Sequence, residues 1–201
     1  MPDIDWEKIV KFVSEIYMLK RNRHEGFRLA GVEHPDSLAD HITIAAQLAY
    51  IIGELEGLDG KTCATMVIFH DNGEVRTTDQ HKVAARYIDK DKAEHQALTD
   101  QMDFLPPAIR TKIIDLYDQC ENHSSPEGIV AKDADWLEAA LQAKIYSEQG
   151  YQNLETWVQN VSQSLKTKSA KKLLAQIKVM DNFTTVWWKG LNISREEVYG
   201  K

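Results

Sequence analysis

Residues 62–74 read TCATMVIFHDNGE and join an apolar helical run to the polar residues that follow it. The run predicts a buried helix from about residue 61 to about residue 73. His70 and Asp71 stand near its end, and Glu74 follows His70 by four positions, which places those two side chains one turn apart on one face. The segment therefore predicts a helical fold with chemistry at the end of a buried helix.

Helical periodicity continues on both sides of this segment. Apolar residues recur at three and four positions, as in Ile9, Phe12, Val13 and Ile16, whereas the alternation typical of strands is not sustained. The sequence therefore predicts an all-α fold. We expect a loop over 21–35, a helix capped by Asp36 or Ser37 that ends near residue 56, and other helices over about 5–20, 80–89, 91–103, 107–121, 126–149, 153–166 and 169–189.

Length and composition favour one domain. The 201 residues are 43% apolar, enough to bury one core, and we expect a domain over 1–190 with a short tail over 191–201. The formal charge of -7 leaves no basic excess for binding polymeric nucleic acid. A small phosphorylated ligand is compatible with this charge, because a bound cation and a few local bases can hold it.

Cysteine content and hydropathy exclude further classes. Cys63 and Cys120 lie in apolar helical stretches, and two distant cysteines favour buried free thiols over a disulfide framework or a zinc-thiolate site. The N-terminus lacks a signal-peptide pattern, and no apolar run approaches the roughly 18 residues that span a bilayer. We therefore expect a cytoplasmic protein without a membrane partner.

The pair His70 and Asp71 combines two metal-ligand types. A neutral imidazole beside a carboxylate can hold a divalent cation, and a second carboxylate such as Glu74 can position and deprotonate water. Asp79 follows in VRTTDQ. The alternative is that His70 only caps its helix and Asp71 is a solvated loop acid, and the pair alone does not decide between them.

His41 strengthens the metal interpretation. In SLADHITIAAQLAYII, over 37–52, it lies one turn into an apolar helix and is predicted to face inward with Leu38 and Ala45. A single histidine on an apolar face is usually a core residue with satisfied hydrogen bonds. Here His70 and Asp71 are available as further ligands.

Asp135 is the fourth candidate ligand. It lies in VAKDADWLEAALQA, over 130–143, where a buried carboxylate without a partner would be costly. Asp133 is about 200° away around the same helix, so one of the two acids is expected to face solvent. Two imidazoles and two carboxylates would leave coordination positions open for a water nucleophile and a phosphate oxygen, and this donor set suits manganese, cobalt, iron or magnesium.

The ordered set His41, His70, Asp71 and Asp135 resembles the HD-domain metal-dependent phosphohydrolase superfamily. Four stretches are similar to its branch of bacterial 5′-deoxynucleotidases and eukaryotic HD-domain-containing relatives: LKRNRHEGF, GVEHPDSLADH, VIFHDNGE and SSPEGIVAKDADWLEAALQA. The resemblance covers roughly residues 15–150 and implies a single-domain HD-type helical bundle.

The resemblance also implies a reaction and roles for residues. It implies that a metal-bound water attacks the 5′-phosphate of deoxyribonucleoside monophosphates, and that the protein is a homodimer. The implied metal ligands are His41, His70, Asp71 and Asp135, with Glu74 positioning the water and Asp79 acting as a catalytic acid near the leaving group.

The loop before the first ligand departs from the pattern of the relatives. Many have Arg-x-Gly-Trp where this chain has His24 to Phe27, so a bidentate phosphate clamp is replaced. His24, Phe27, Arg23 and Lys82 are the predicted substrate-binding residues. The departure leaves open hydrolysis of another small phosphorylated metabolite, and a non-catalytic metal-binding regulatory protein is a further alternative. Glu74 and Asp79 argue against the latter.

Overall fold

The computed structural model describes residues 4–188 and 195–200, and within them the all-α prediction is confirmed. The helices are α1 (Trp6–Ile16), α2 (Glu25–Leu29), α3 (Leu38–Glu56), α4 (Gly60–His70), α5 (Glu74–Thr77), α6 (Lys90–Met102), α7 (Pro107–Glu121), α8 (Pro126–Glu148), α9 (Glu155–Ser164), α10 (Lys168–Lys178) and α11 (Arg195–Tyr199). Single 3₁₀ turns cover Tyr17–Lys20 and Ala84–Arg86. The predicted boundary between domain and tail lies outside the described residues.

The centre of the fold is the packing of α3 against α4 and α8, with α7 and α9 on the flanks. Small residues allow close approach here. A Cβ added at Gly53 on α3 would lie 2.9 Å from the Gly60 Cα and from the Cys63 Sγ on α4. Cys63 and Cys120 are free and buried in this core, where burial raises the pKa of Cys63 to about 12.

A capping box starts α3. The Ser37 hydroxyl accepts a hydrogen bond from the Asp40 amide at 3.2 Å, and the Asp40 carboxylate accepts one from the Ser37 amide at 3.0 Å. Ser37 is therefore the cap, and the box satisfies two amides that would otherwise lack partners. The box fixes the first turn of α3 and places His41 on the buried side, with 1% of its surface exposed.

The helix predicted over residues 61–73 ends three residues early, and a separate short helix follows it. α4 ends at His70, and three turn residues precede α5 at Glu74. A Cβ at Gly73 would collide with the Glu94 carbonyl oxygen of α6, and Asn72 donates a hydrogen bond to Gln101 on α6 at 2.9 Å. α6 therefore packs closely over the turn where α4 ends. As a result, Asp71 lies in the turn and not in a helix.

Three other boundaries differ from the predictions. The predicted loop over 21–35 contains α2, the predicted helix over 80–89 is a loop with one 3₁₀ turn, and the predicted last long helix ends at Lys178. Thr78, directly after α5, has a φ of 60°. After residue 178, the backbone amides of Phe183 and Thr184 donate hydrogen bonds to the Glu148 carboxylate of α8. These tertiary contacts replace the local helical preference. No helix in the described ranges is both long and apolar enough to cross a membrane.

Candidate metal centre

The four predicted ligands come from three helices that meet at the core. His41 lies in the first turn of α3, His70 ends α4, Asp71 follows it, and Asp135 lies in the middle of α8. One donor atom each from His41, His70 and Asp71 lies within 4.8 Å of the other two. The Asp135 Oδ1 lies 3.2 Å from the His41 Nε2 and 3.6 Å from the His70 Nε2. The fold brings all four side chains together.

The Nδ1 atom of each imidazole contacts an oxygen of a neighbouring residue. The His41 Nδ1 lies 2.5 Å from the Glu138 Oε2, and the His70 Nδ1 lies 2.6 Å from the Val67 carbonyl oxygen. These contacts orient both Nε2 atoms toward Asp135, as outer partners of metal-binding histidines do. Sequence reasoning missed Glu138, although its position three residues after Asp135 places it on the same face of α8.

The donor set fits a divalent cation. The His70 Nε2 is buried and makes no hydrogen bond, although the Asp71 Oδ1 is 3.1 Å away. A buried polar atom without a hydrogen bond is unusual in a folded protein and is consistent with a bound ion. Two imidazole nitrogens and two carboxylate groups without sulfur suit divalent ions of octahedral habit.

The charged groups at the centre shift one another's pKa values. Burial opposes protonation of His41, but the carboxylates of Asp135 and Glu138 outweigh it and raise the imidazole pKa well above its ordinary value. Burial also opposes ionisation of Asp135, yet Lys132 and His70 hold the pKa of that carboxyl well below its ordinary value. The imidazoles therefore favour the charged form of Asp135. A bound cation would take over that role.

Two lysines that the sequence analysis did not select border the four ligands. Lys132 Nζ lies 3.3 Å from the Asp135 Oδ2 and 2.9 Å from the Glu121 Oε1. Its side chain is 17% exposed, and Asp135 and Glu121 outweigh burial to raise its pKa. The spacing of Lys132 and Asp135, three residues apart on one helix, is the signal that could have identified this lysine.

Lys90 is the second lysine, and it contacts three carboxylates of the same cavity. Its Nζ lies 3.1 Å from the Glu74 Oε1, 3.2 Å from the Glu94 Oε1 and 4.0 Å from the Asp79 Oδ1. Burial opposes its charge, but Glu74 and Glu94 raise its pKa. Its contact with Glu74 joins α6 to α5, and no local pattern predicts a pairing that depends on the packing of those helices.

The predicted catalytic acids share one cavity of about 280 Å³ with the four ligands, His24 and both lysines. Glu74 is 4% exposed, and burial, followed by repulsion from Asp71, raises its pKa well above its ordinary value. The Asp79 Oδ2 accepts a hydrogen bond from the Glu25 amide at 2.7 Å. The start of α2 therefore positions Asp79.

The predicted substrate residues occupy different places. His24 lines the cavity, with its Nδ1 3.3 Å from the Asp36 Oδ2. Phe27 is buried and lines an adjoining cavity. The Arg23 guanidinium donates to the Pro35 carbonyl oxygen at 3.3 Å and is not among the residues that line the metal cavity. Lys82 is exposed and borders the adjoining cavities instead.

The expectation that Asp133 or Asp135 faces solvent is wrong. Asp133 is 1% exposed and accepts hydrogen bonds from the amides of Lys166 and Thr167 and from the Thr167 hydroxyl. It therefore satisfies the backbone just before α10, while Asp135 faces the cavity. Both faces of α8 are covered because the helix runs through the core.

Comparisons with known proteins agree with this architecture. The model of a family described as HD domain matches residues 16–178. The 5′-deoxynucleotidase HDDC2 of Dictyostelium discoideum is 31% identical over 144 residues, which cover 67% of this chain and 75% of the relative. The human 5′-deoxynucleotidase HDDC2 is 27% identical over 143 residues, covering 70% and 69%. The crystal structure of PH0347 protein from Pyrococcus horikoshii superimposes with a TM-score of 0.72 at 26% identity, covering 84% of this chain and 97% of that one.

Proposed function

This chain belongs to the HD domain family, and from that premise we propose that it is a divalent-metal-dependent phosphomonoesterase acting on the 5′-phosphate of deoxyribonucleoside monophosphates. The observation that carries the proposal is one cavity that contains the four candidate ligands together with Glu74 and Asp79. The relatives named 5′-deoxynucleotidase support the substrate class.

The proposed ligands are His41, His70, Asp71 and Asp135. Held by them, a divalent cation would supply Lewis acidity, lowering the pKa of water and offsetting charge on the phosphate oxygens. Glu138 and the Val67 carbonyl oxygen keep the two imidazoles oriented for this task. Manganese, cobalt, iron and magnesium all suit the donor set.

Glu74 and Asp79 are the proposed acid–base pair. As water attacks phosphorus, the Glu74 carboxylate accepts the proton that the water releases. The bond between phosphorus and the 5′ oxygen breaks, and that oxygen takes up a proton through Asp79, so that a deoxynucleoside and inorganic phosphate leave. Lys90, 3.1 Å from Glu74 and 4.0 Å from Asp79, keeps both carboxylates in the cavity wall.

Lys90, Lys132 and His24 are the proposed phosphate contacts, because all three line the cavity. A phosphate monoester brings two negative charges into a site already rich in carboxylates, so it needs nearby cations. Ammonium groups act as point charges rather than as a bidentate fork. We therefore assign to the two lysines the role that an arginine in the loop plays in other members of the family.

We also propose that the protein is cytoplasmic and forms a homodimer. Support for the dimer comes from α3, where Ile44, Ile51 and Leu55 are 49%, 50% and 68% exposed. Their spacing of seven and four residues places them on one face of the helix. A second copy covering this face would remove a row of large apolar side chains from water.

The test is phosphate release by metal-stripped protein resupplied separately with manganese, cobalt or magnesium. Substrates are deoxyribonucleoside and ribonucleoside monophosphates, deoxyribose 5-phosphate and other sugar phosphates, and Asp71→Ala protein controls for contaminating phosphatase. We expect metal-dependent release that is fastest from the deoxynucleotides. Faster release from a non-nucleotide phosphate would favour the alternative metabolite hydrolase, and no release from any substrate with any metal would contradict the proposal.

A further inference from the structure

Two further cavities adjoin the metal cavity. One, of about 210 Å³, shares His24, Asp79 and Lys90 with it. The other, of about 390 Å³, lies along α8 and α9 and shares Trp136 with the metal cavity. These two cavities share Lys82, Ala139 and Trp157, and we describe them together as one groove beside the metal cavity. We name it the aromatic groove and define it by Phe27, Trp136, Ala139, Trp157, Asn160 and Ser164.

We propose that the aromatic groove binds the base of the nucleotide substrate, against Trp157 and Trp136. The inference rests on the proposed function, because the phosphate must lie in the metal cavity. The residues of the groove would distinguish a nucleotide from a sugar phosphate, because both carry a phosphate but only the nucleotide has a base.

The chemistry of the groove differs from that of the metal cavity. The metal cavity is lined mainly by charged side chains and histidines. The far part of the groove is lined by two tryptophans, by small apolar side chains and by the neutral Thr156, Asn160 and Ser164. Among the described residues, Lys82 is the one charged side chain in this lining. A base is flat and uncharged with polar edges. Aromatic side chains stack on its faces, and an amide such as that of Asn160 can both donate to and accept from its edge.

Trp157 is fixed in place by the loop that carries His24. Its ring stacks on Phe27 with centroids 5.3 Å apart and an angle of 28° between the planes. A Cβ at Gly26 would lie 3.1 Å from the Trp157 ring, so the glycine lets the backbone of α2 lie against the indole. Phe27, buried beneath, limits the freedom of the ring, and a preordered aromatic surface reduces the entropy cost of binding.

Trp136 is fixed relative to the candidate ligands. It follows Asp135 directly on α8 and lines both the metal cavity and the groove. Its ring also packs against His123, with centroids 5.7 Å apart at 89°. The two tryptophans therefore border the groove from different helices, and Trp136 also lines the cavity that contains the proposed phosphate contacts.

The first experiment compares kcat/KM for a deoxynucleoside monophosphate with kcat/KM for deoxyribose 5-phosphate. Asn160→Phe fills the groove from an exposed position on α9, and Gln159→Phe places the same ring on the neighbouring exposed residue, outside the groove lining. Stacking of a base on an aromatic side chain contributes about 1–3 kcal/mol, or a factor of roughly 5 to 150. We expect the ratio of the two values to fall by a factor in that range in Asn160→Phe and in Trp157→Ala, and to stay unchanged in Gln159→Phe.

The second experiment does not depend on turnover. Metal-stripped protein is titrated with the free deoxynucleoside while tryptophan fluorescence is recorded. Saturable quenching that weakens in Asn160→Phe but not in Gln159→Phe supports the inference. Equal titrations for these two variants, together with an unchanged substrate ratio, would overturn it. If no phosphate ester were hydrolysed at all, the proposed function would fail, and the titration would still decide whether the groove binds nucleosides.

Discussion

The His41 imidazole contacts Glu138 through Nδ1 at 2.5 Å, which directs its Nε2 to Asp135 at 3.2 Å. Outer partners of this kind orient metal ligands, and their loss typically lowers metal affinity by about 10- to 100-fold. We expect Glu138→Gln to weaken manganese binding by about that factor in isothermal titration while the helical content is unchanged. Glu148→Gln, on the same helix but bonded to the 183–184 backbone, is the matched control. Equal affinity in both variants would remove the role assigned to Glu138.

Glu74 is predicted to be needed for turnover but not for metal binding. Its carboxylate lines the cavity and contacts Lys90, and it is not among the candidate ligands. Glu74→Gln keeps the shape of the side chain but cannot accept a proton, and loss of a general base typically costs about 10²- to 10⁴-fold in rate. We expect kcat to fall by about that factor with manganese content unchanged. Normal turnover would show that another group accepts the proton.

Lys90 is predicted to contribute to phosphate binding. Replacing a charged hydrogen-bond donor costs about 1.5–3 kcal/mol, so Lys90→Met should lower kcat/KM by roughly 10- to 150-fold. Steady-state kinetics with a deoxynucleoside monophosphate measures this loss. Lys92→Met, an exposed position two residues along the same helix, should leave kcat/KM unchanged. A similar loss in both variants would mean that Lys90 acts only through the general charge of the protein.

Glu94 gives a prediction for the stability of the metal-stripped protein. Burial is the largest cause that raises its pKa from 4.5 to about 7, and Lys90 opposes the rise. Between these values the folded chain holds a proton that the unfolded chain has released. The stabilisation is therefore complete below about pH 4.5 and is lost as the pH rises through about 7.

The corresponding variant is Glu94→Gln, which stays neutral throughout this range. We expect its thermal unfolding midpoint to fall less than that of the unmodified chain between about pH 5 and about pH 8. Scanning calorimetry without metal measures the difference. Parallel losses in the two proteins would indicate that Glu94 ionises in the folded chain as it does in the unfolded one.

Local patterns predicted the elements on which the site depends. The cap expected at Asp36 or Ser37 and the apolar face of α3 were sufficient to place His41 inward, and the run before His70 identified α4. Both signals act within one helix, where spacing fixes direction. The structure therefore agrees with the sequence on the helices that carry His41, His70 and Asp135, while Asp71 lies in the turn after α4.

Pairings between distant segments were not accessible from the sequence. Lys90 contacts Glu74 only because α6 crosses the turn at Gly73, and Asp133 is buried only because the chain before α10 returns to α8. Residues 80–89 have a helical pattern but form a loop with one 3₁₀ turn. Asp79, just before this loop, accepts a hydrogen bond from the Glu25 amide at the start of α2. In each case tertiary contacts outweigh local preference.

The central claim is that His41, His70, Asp71 and Asp135 form one divalent-metal site. The most direct measurement is calorimetric titration of the metal-stripped protein with manganese. It compares the unmodified chain with Asp71→Ala and with a control, Asp133→Asn, because Asp133 does not line the cavity. We predict one ion per chain for the unmodified protein and for folded Asp133→Asn, and no measurable binding for Asp71→Ala. Undiminished binding of one ion by Asp71→Ala would contradict the claim.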